Sequence, residues 1–342
     1  MLVRVAVDCD ALTTGDSPEL TSQHQRLTRI LLKNGVLVRT REHDLEALLN
    51  PHGDKSRKLS VNALQAWSAV IDKVRWLDPT EPIACLCTIG DAETFRRSWA
   101  KQADVAVVEE TRGQELGLPE GEAVHLDEAT GIELAHLWSF DGAQAFERAE
   151  ELTQRKIWEG ADRKDIWNDR FDLLARTSLH VAVVDRYAGL NLVEARRKGR
   201  ISGLEWFLQR LCEYPRTYVT LILGVTGYDK GLGERMVNKD QVLQEVRQVV
   251  AGLPERGVED VKLTLVLETE FGNISHGRRI RFENFVVGLD KGLTVFDHSA
   301  VASSCDCFDL NDTDTRDYER RLLQVARLRS GWPAEVLLRK AQ

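Results

Sequence analysis

Short apolar, β-branched runs alternate with segments of helical period along the whole chain, and this alternation limits the fold more than any other feature. LVRVAVD at 2–8, VLV at 36–38, IACLCTI at 83–89 and DVAVVEE at 104–110 have the length and composition of buried strands. Between them, Leu20, Leu27, Ile30 and Leu31 recur at helical spacing before an Asn34-Gly35 stop, a second helix opens at the capping residue Ser60, and AETFRRSWAKQA at 92–103 forms a third. Strands separated by helices predict parallel βαβ units, hence an α/β domain over residues 1–140 built on a Rossmann-like parallel sheet.

The segment 141–160 predicts a charged connecting helix, and the pattern then restarts. DIWNDRFDLLART, GLEWFLQRLCEY and KDQVLQEVRQVVAG have helical character, while HVAVVDRY, TYVTLILGVTG, DVKLTLVLET and IRFENFVVGL are strand-like. Residues 161–342 are therefore expected to form a second α/β domain, with FGNISHGRR as the loop before its last strand. The fold class that follows is two α/β domains in tandem.

Composition narrows the function classes. A net charge of −8 over 342 residues argues against a broadly basic surface for nucleic acid or anionic lipid, while leaving room for a local cationic site. No run of about 18 apolar residues occurs, and acids interrupt the first apolar stretch, so a cytoplasmic location is expected. Six cysteines are too few for a disulfide scaffold, and Cys85-x-Cys87 and Cys305-x-Cys307 are spaced more closely than usual zinc pairs, so they are expected to be core thiols. GYDKGLGER at 227–235 lacks the lysine and hydroxyl of a P-loop and reads as a connection.

Two residue sets could carry chemistry. In ISHGRRIRFENF, His276 is followed by Arg278 and then Glu283, with Arg279, Arg281 and Asn284 interleaved. An imidazole can attack or protonate a phosphoryl group, a guanidinium can hold its nonbridging oxygens, and a carboxylate can orient the ring. Strict alternation points His276 and Arg278 one way and Arg279, Arg281 and Glu283 the other, so joining Glu283 to His276 requires a turn or bulge. The alternative is a loop histidine beside solvated arginines.

HGRRIRFENFVVGLDKGLTVFD, together with DIWNDRFDLLARTSLHVAVVDRYAG upstream, resembles the phospholipase-D-like domain found at the C terminus of microtubule-interacting-and-trafficking (MIT) domain proteins. The resemblance covers roughly residues 158–308. The superfamily motif is His-x-Lys followed after four residues by Asp, and His276, Arg278 and Glu283 occupy those places with Arg for Lys and Glu for Asp. It implies a catalytic set of His276, Arg278 and Glu283, a phosphate-binding set of Arg186, Arg279, Arg281, Asn284 and Asp185, and no metal or other cofactor at that site. Full phospholipase D enzymes pair two motifs, but at the end of the first strand of this domain Val184, Arg186 and Asn191 stand where His, Lys and the acid would be. Either a homodimer supplies the second histidine, or catalysis is lost and an anion-binding pocket remains, as in the eukaryotic MIT-linked domains, which are regarded as lipid binders. ARRKGR at 195–200 could border the same groove.

The second set lies in the first domain. Asp8 and Asp10 after the first strand, Glu42 and Asp44 after the second, Asp91 after the third, and Asp104, Glu109 and Glu110 around the fourth could meet at one sheet edge. Asp8, Asp10, Asp91 and Asp104 would then hold Mg²⁺ or Mn²⁺ and activate water for phosphodiester cleavage. VAVDCDAL and CTIGDAETF resemble the PIN-type ribonuclease pattern. With 54 acidic residues, acids at strand ends also arise by chance.

The functional expectation is a phosphodiester-handling protein: a nuclease or nucleic-acid-directed effector, in the setting of bacterial antiviral defence. Two alternatives stand beside it: a noncatalytic module binding phospholipid headgroups or a protein partner, and a metal-dependent N-terminal nuclease with a recognition domain.

Overall fold

The computed structural model describes residues 1–12, 17–40, 59–79, 83–214, 217–226, 238–274, 278–310, 312–328 and 335–339. The chain divides into two compact units, Met1–Glu151 and Leu152–Gln342. The helix Gln144–Gln154 crosses that boundary, and Ile157 and Asp162 bridge to Cys305 and Ala300, which ties the rest of the expected connector into the second unit.

In the first unit, β1 (Val3–Val7), β2 (Gly35–Val38), β3 (Arg75–Leu77), β4 (Val105–Val108), β5 (Val124–Asp127) and β6 (Ile132–His136) form one sheet in the order β3-β2-β1-β4-β6-β5. All neighbours are parallel except β5 and β6, which pair antiparallel. β2 and β4 are continuously apolar and buried, as expected of strands inside a parallel sheet. Helices α1 (Pro18–Asn34) and α2 (Val61–Val70) start at Ser17 and Ser60, whose side chains accept from the amides of Leu20 and Ala63. Helices α3 (Ala92–Trp99) and α4 (Glu110–Leu116) start at Asp91 and Glu109. Phe95, Trp99 and Leu116 pack on Ala6, Ala106, Val108 and Leu134.

The expected strand IACLCTI does not form. Residues 83–85 have no ladder partner, and Leu86–Thr88 is a turn of 3-10 helix, with Ile83, Leu86 and Ile89 inserted into the core beside Phe95. The third strand is instead Arg75–Leu77, too short to stand out from the helix that precedes it.

After the boundary helix α5 (Gln144–Gln154) come α6 (Arg163–Ile166), a π turn over Trp167–Phe171 and α7 (Asp172–Arg176). The sheet of the second unit runs β12-β11-β10-β7-β8-β9-β13. The central strands β7 (His180–Asp185), β8 (Thr217–Val225) and β9 (Val258–Leu267) are parallel. They are joined through α8 (Ala188–Arg197), α9 (Gly203–Leu211) and α10 (Lys239–Ala251). β10 (Arg279–Phe282), β11 (Phe285–Leu289), β12 (Cys307–Leu310) and β13 (Val336–Arg339) are antiparallel additions. The segment FGNISHGRR is not all loop, since α11 (Glu268–Ile274) occupies its start. IRFENFVVGL is a hairpin rather than one strand, turning at Glu283 and Asn284 with Glu283 at φ +51°.

Alternation along β10 separates two environments. Phe282 joins an aromatic cluster with Phe171 and Phe207, and Trp167, Trp206 and Phe296 extend that cluster. On the opposite face, α12 (Asp312–Leu328) lays Tyr318, Leu322 and Ala326 over Val184, Ile222, Val266 and Phe271. There Arg281 forks onto Glu319, with Nε to Oε1 at 2.8 Å and Nη2 to Oε2 at 2.7 Å, both side chains being about nine-tenths buried. Glu319→Ala would strand a buried guanidinium, a loss of about 3–5 kcal/mol. Urea unfolding of Glu319→Ala and of the paired change Arg281→Met with Glu319→Leu should show the single change as clearly the more damaging.

Candidate phosphate-binding edge

At the carboxyl ends of β7, β8 and β9, where open α/β sheets hold ligands, three guanidiniums gather around two tyrosines. Arg186 follows β7 directly and pairs with Glu268 at the start of α11, Nη2 to Oε1 at 2.7 Å. Its guanidinium carbon lies 5.1 Å from the Tyr187 ring centroid. Arg278 reaches the same ring from the start of β10, at 4.8 Å, and donates to the Asp290 carbonyl. Arg279, on the other face of the hairpin, stands 4.5 Å over Tyr318 and donates to Thr315 Oγ1 at 3.2 Å. Tyr318 is buried, and burial pushes its phenol up to about 12, against the opposing charges of Arg279 and Arg186. Arg186, Tyr187, Leu190, Gly224, Val225, Thr226 and Glu268 line a small recess at this edge.

Asp185 holds the arrangement together. Its carboxylate is buried, Oδ1 accepts from the amides of Tyr187 at 2.8 Å and Ala188 at 3.1 Å, and Oδ2 accepts from Leu293 at 2.9 Å. It therefore caps both α8 and the short 3-10 helix Gly292–Phe296, with Arg278 Nε 4.0 Å away. Burial raises the Asp185 acid above its ordinary value, against the Leu293 and Tyr187 amides and the Arg278 charge. Gly292 is required beside it: its φ is +58°, and a Cβ would lie 2.1 Å from Asp185 Oδ2.

The remaining members of the expected set stand elsewhere. Glu283 sits at the far turn of the hairpin, about 17 Å along the strand from Arg278 at about 3.4 Å per residue. There it accepts from the amides of Leu179 at 3.0 Å and His180 at 2.8 Å and pairs with His180 Nδ1. Asn284 Oδ1 accepts from Arg316, and Arg281 is committed to Glu319. The hairpin thus divides the motif, with Arg278 and Arg279 at one end and Arg281, Glu283 and Asn284 toward the other. His276 lies outside the described residues, as do Glu42, Asp44 and the segment 227–237. Arg196 and Arg197 of the basic cluster end α8, a helix that leads about 15 Å away from Asp185 at about 1.5 Å per residue, and Arg196 pairs with Glu205 and Glu245.

Residues that sequence reasoning missed complete the edge. Glu268 was hidden in an expected strand end. Thr315, Tyr318, Glu319, Leu322 and Ala326 are the buried residues of α12, and their helical spacing was the signal available for them.

The N-terminal acids are also divided. Asp8 ends β1 beside β4, at the point where successive connections leave in opposite directions, and it is fully buried. Its Oδ1 accepts from the Asp10 amide at 2.9 Å, while Oδ2 is buried with no hydrogen-bond partner among the described residues. Burial raises this acid, the Asp10 amide opposes the shift, the Asp10 charge adds to it and Arg112 opposes it. Glu109 caps α4 by accepting from Arg112 N at 3.0 Å. Asp104 lies at the opposite end of the strands, where Arg4 and Asp104 exchange backbone and side-chain bonds. Asp91 caps α3 through Thr94 N at 2.8 Å and Thr94 Oγ1 at 2.9 Å, and these bonds lower its acid. Among the described residues no three His, Cys, Asp or Glu side chains are placed to hold a metal, and of the four expected acids Asp104 stands at the other end of the strands from Asp8. No helix among them is long and apolar enough to cross a membrane.

The raised Asp185 acid gives a pH signature. The folded state holds that proton more tightly than the unfolded chain, so the associated stability is complete below the ordinary value of 3.8 and is lost as pH rises through the raised folded value. Urea-melt stability of the native chain should therefore fall, from about pH 4 upward, more steeply than that of Asp185→Asn; parallel pH profiles would remove the assignment. No family model matches the chain, and a comparison with curated proteins finds no match.

Proposed function

We propose that this chain is a phosphodiester-directed effector whose second unit, a phospholipase-D-like module, grips phosphate through Arg186, Arg278 and Arg279. The observation that carries the reading is the gathering of these three guanidiniums at one strand edge against Tyr187 and Tyr318. Guanidiniums suit phosphate because their donors form a fixed fork, and aromatic rings hold that fork in place without neutralising it. Tyr187, the partly exposed one of the two rings, also gives a base an aromatic edge to pack on, which favours a single-stranded nucleic acid over a headgroup alone.

The binding form of this reading has more support than the catalytic form. A phosphohistidine mechanism through His276 asks for an acid beside the ring and a second histidine from another copy, whereas Glu283 is bonded to the start of β7 at the far end of the hairpin. The metal-dependent alternative rests on one observation in the first unit, the orphaned Asp8 Oδ2.

Glu268 is the internal competitor for phosphate, since Arg186 must exchange its carboxylate for the ligand. A single test uses labelled single-stranded DNA and RNA, and vesicles with anionic headgroups, read by anisotropy and co-sedimentation with and without EDTA. Arg186→Ala with Arg278→Ala should weaken binding at least tenfold, since a hydrogen bond to a charged group is worth about 1.5–3 kcal/mol. Glu268→Gln should tighten it, and salt should weaken it with the shallow slope of a few phosphate contacts. Binding unaffected by the double change would refute the site. Cleavage that EDTA abolishes and Asp8→Asn removes would favour the N-terminal nuclease, and EDTA-resistant cleavage lost in His276→Ala, by a protein dimeric in light scattering, would restore the catalytic form.

A further inference from the structure

The Cys85-x-Cys87 pair leaves the expected strand for a tight turn, and that change brings its sulfurs together. Cys85 accepts at its carbonyl from Thr88 N at 3.1 Å and from Thr88 Oγ1 at 2.9 Å, which closes the turn around Leu86. Arg112 fixes the other side, donating to the Cys87 carbonyl at 3.1 Å and the Ile89 carbonyl at 2.7 Å. The two Sγ atoms then lie 3.1 Å apart, about 1 Å from the length of a disulfide. Cys85 is buried, while Cys87 is only partly so and open to a small reagent.

We propose that Cys85 and Cys87 are a redox-active dithiol that exchanges with low-molecular-weight disulfides and closes a bond around Leu86. The Cys87 thiolate attacks one sulfur of the small disulfide, breaking its S–S bond and releasing one thiol after protonation. The Cys85 thiol then loses its proton and attacks Cys87 Sγ, forming the intrachain bond and expelling the second thiol. Two electrons pass from the pair to the reagent, and the two cysteine protons leave on the two released thiols. Cys87 is the attacking residue because it is accessible, and Cys85 resolves the mixed disulfide because it is buried at contact distance. Cys305 and Cys307 share the spacing and provide an internal contrast. Both are buried, and burial pushes the Cys305 thiol up to about 12 and raises that of Cys307, so neither supplies a thiolate near neutral pH.

The test incubates the full chain with oxidised glutathione, traps remaining thiols with iodoacetamide after acid quenching and denaturation, and reads the peptides by mass spectrometry. The peptide containing residues 85–87 should lose both alkylatable thiols and carry no glutathione, while Cys305 and Cys307 remain alkylatable. Cys85→Ser should accumulate a glutathione adduct on Cys87, and Cys87→Ser should stay unmodified at Cys85. A native peptide that stays reduced, or that retains glutathione on Cys87 without closing, overturns the proposal, and this native readout decides the matter even if Cys85→Ser does not fold.

Discussion

The buried carboxylate of Asp185 is the constraint on which the second unit depends. It ends the central strand β7, receives three backbone amides from two separate helical starts, and stands beside Arg278. Removing a carboxylate from water costs several kcal/mol, and here amide donors and one guanidinium offset that cost. The consequence is geometric. The turn after β7 is fixed, so Arg186 and Tyr187 emerge at a set place, and Gly292 must remain without a side chain.

The arginines of the hairpin show how one run of like residues can be assigned opposite roles. Arg281 is spent on Glu319 under α12, where its guanidinium is nearly dry and fully paired. Arg279, its neighbour on the same strand face, has a hydroxyl and an aromatic ring. Arg278 bonds a backbone carbonyl and faces Tyr187. Arg186 and Arg278 both face carboxylates at this edge, Glu268 and Asp185, so a phosphate there competes with those acids for the guanidiniums.

The α/β class and most central strands were legible in the sequence, because apolar runs such as Val181–Val184 and Leu221–Leu223 have no polar face to confuse the period. Legibility failed where a local pattern had two solutions. Ile83, Leu86 and Ile89 satisfy a strand by composition but reach the core from a turn, and Phe282-Glu283-Asn284-Phe285 reads as continuous strand until Glu283 takes a positive φ. The second error carried over to the site, since a hairpin places the motif's acid and its guanidinium at opposite ends. Helical spacing marks Tyr318 as a buried residue of α12, but nothing in the spacing places it or Glu268 beside Arg186, because they come from distant segments that meet it only through the sheet order.

The central claim is that Arg186 and Arg278 are available to a phosphate while Arg281 is not. Side-chain NMR of arginine Nε groups tests it most directly, with assignments from single Arg→Lys changes and a short dinucleotide phosphodiester as titrant. Arg186 and Arg278 should shift progressively and saturate, and Arg281, locked on Glu319, should stay still. Unmoved Arg186 and Arg278 signals, or a shift confined to Arg281, would contradict the account.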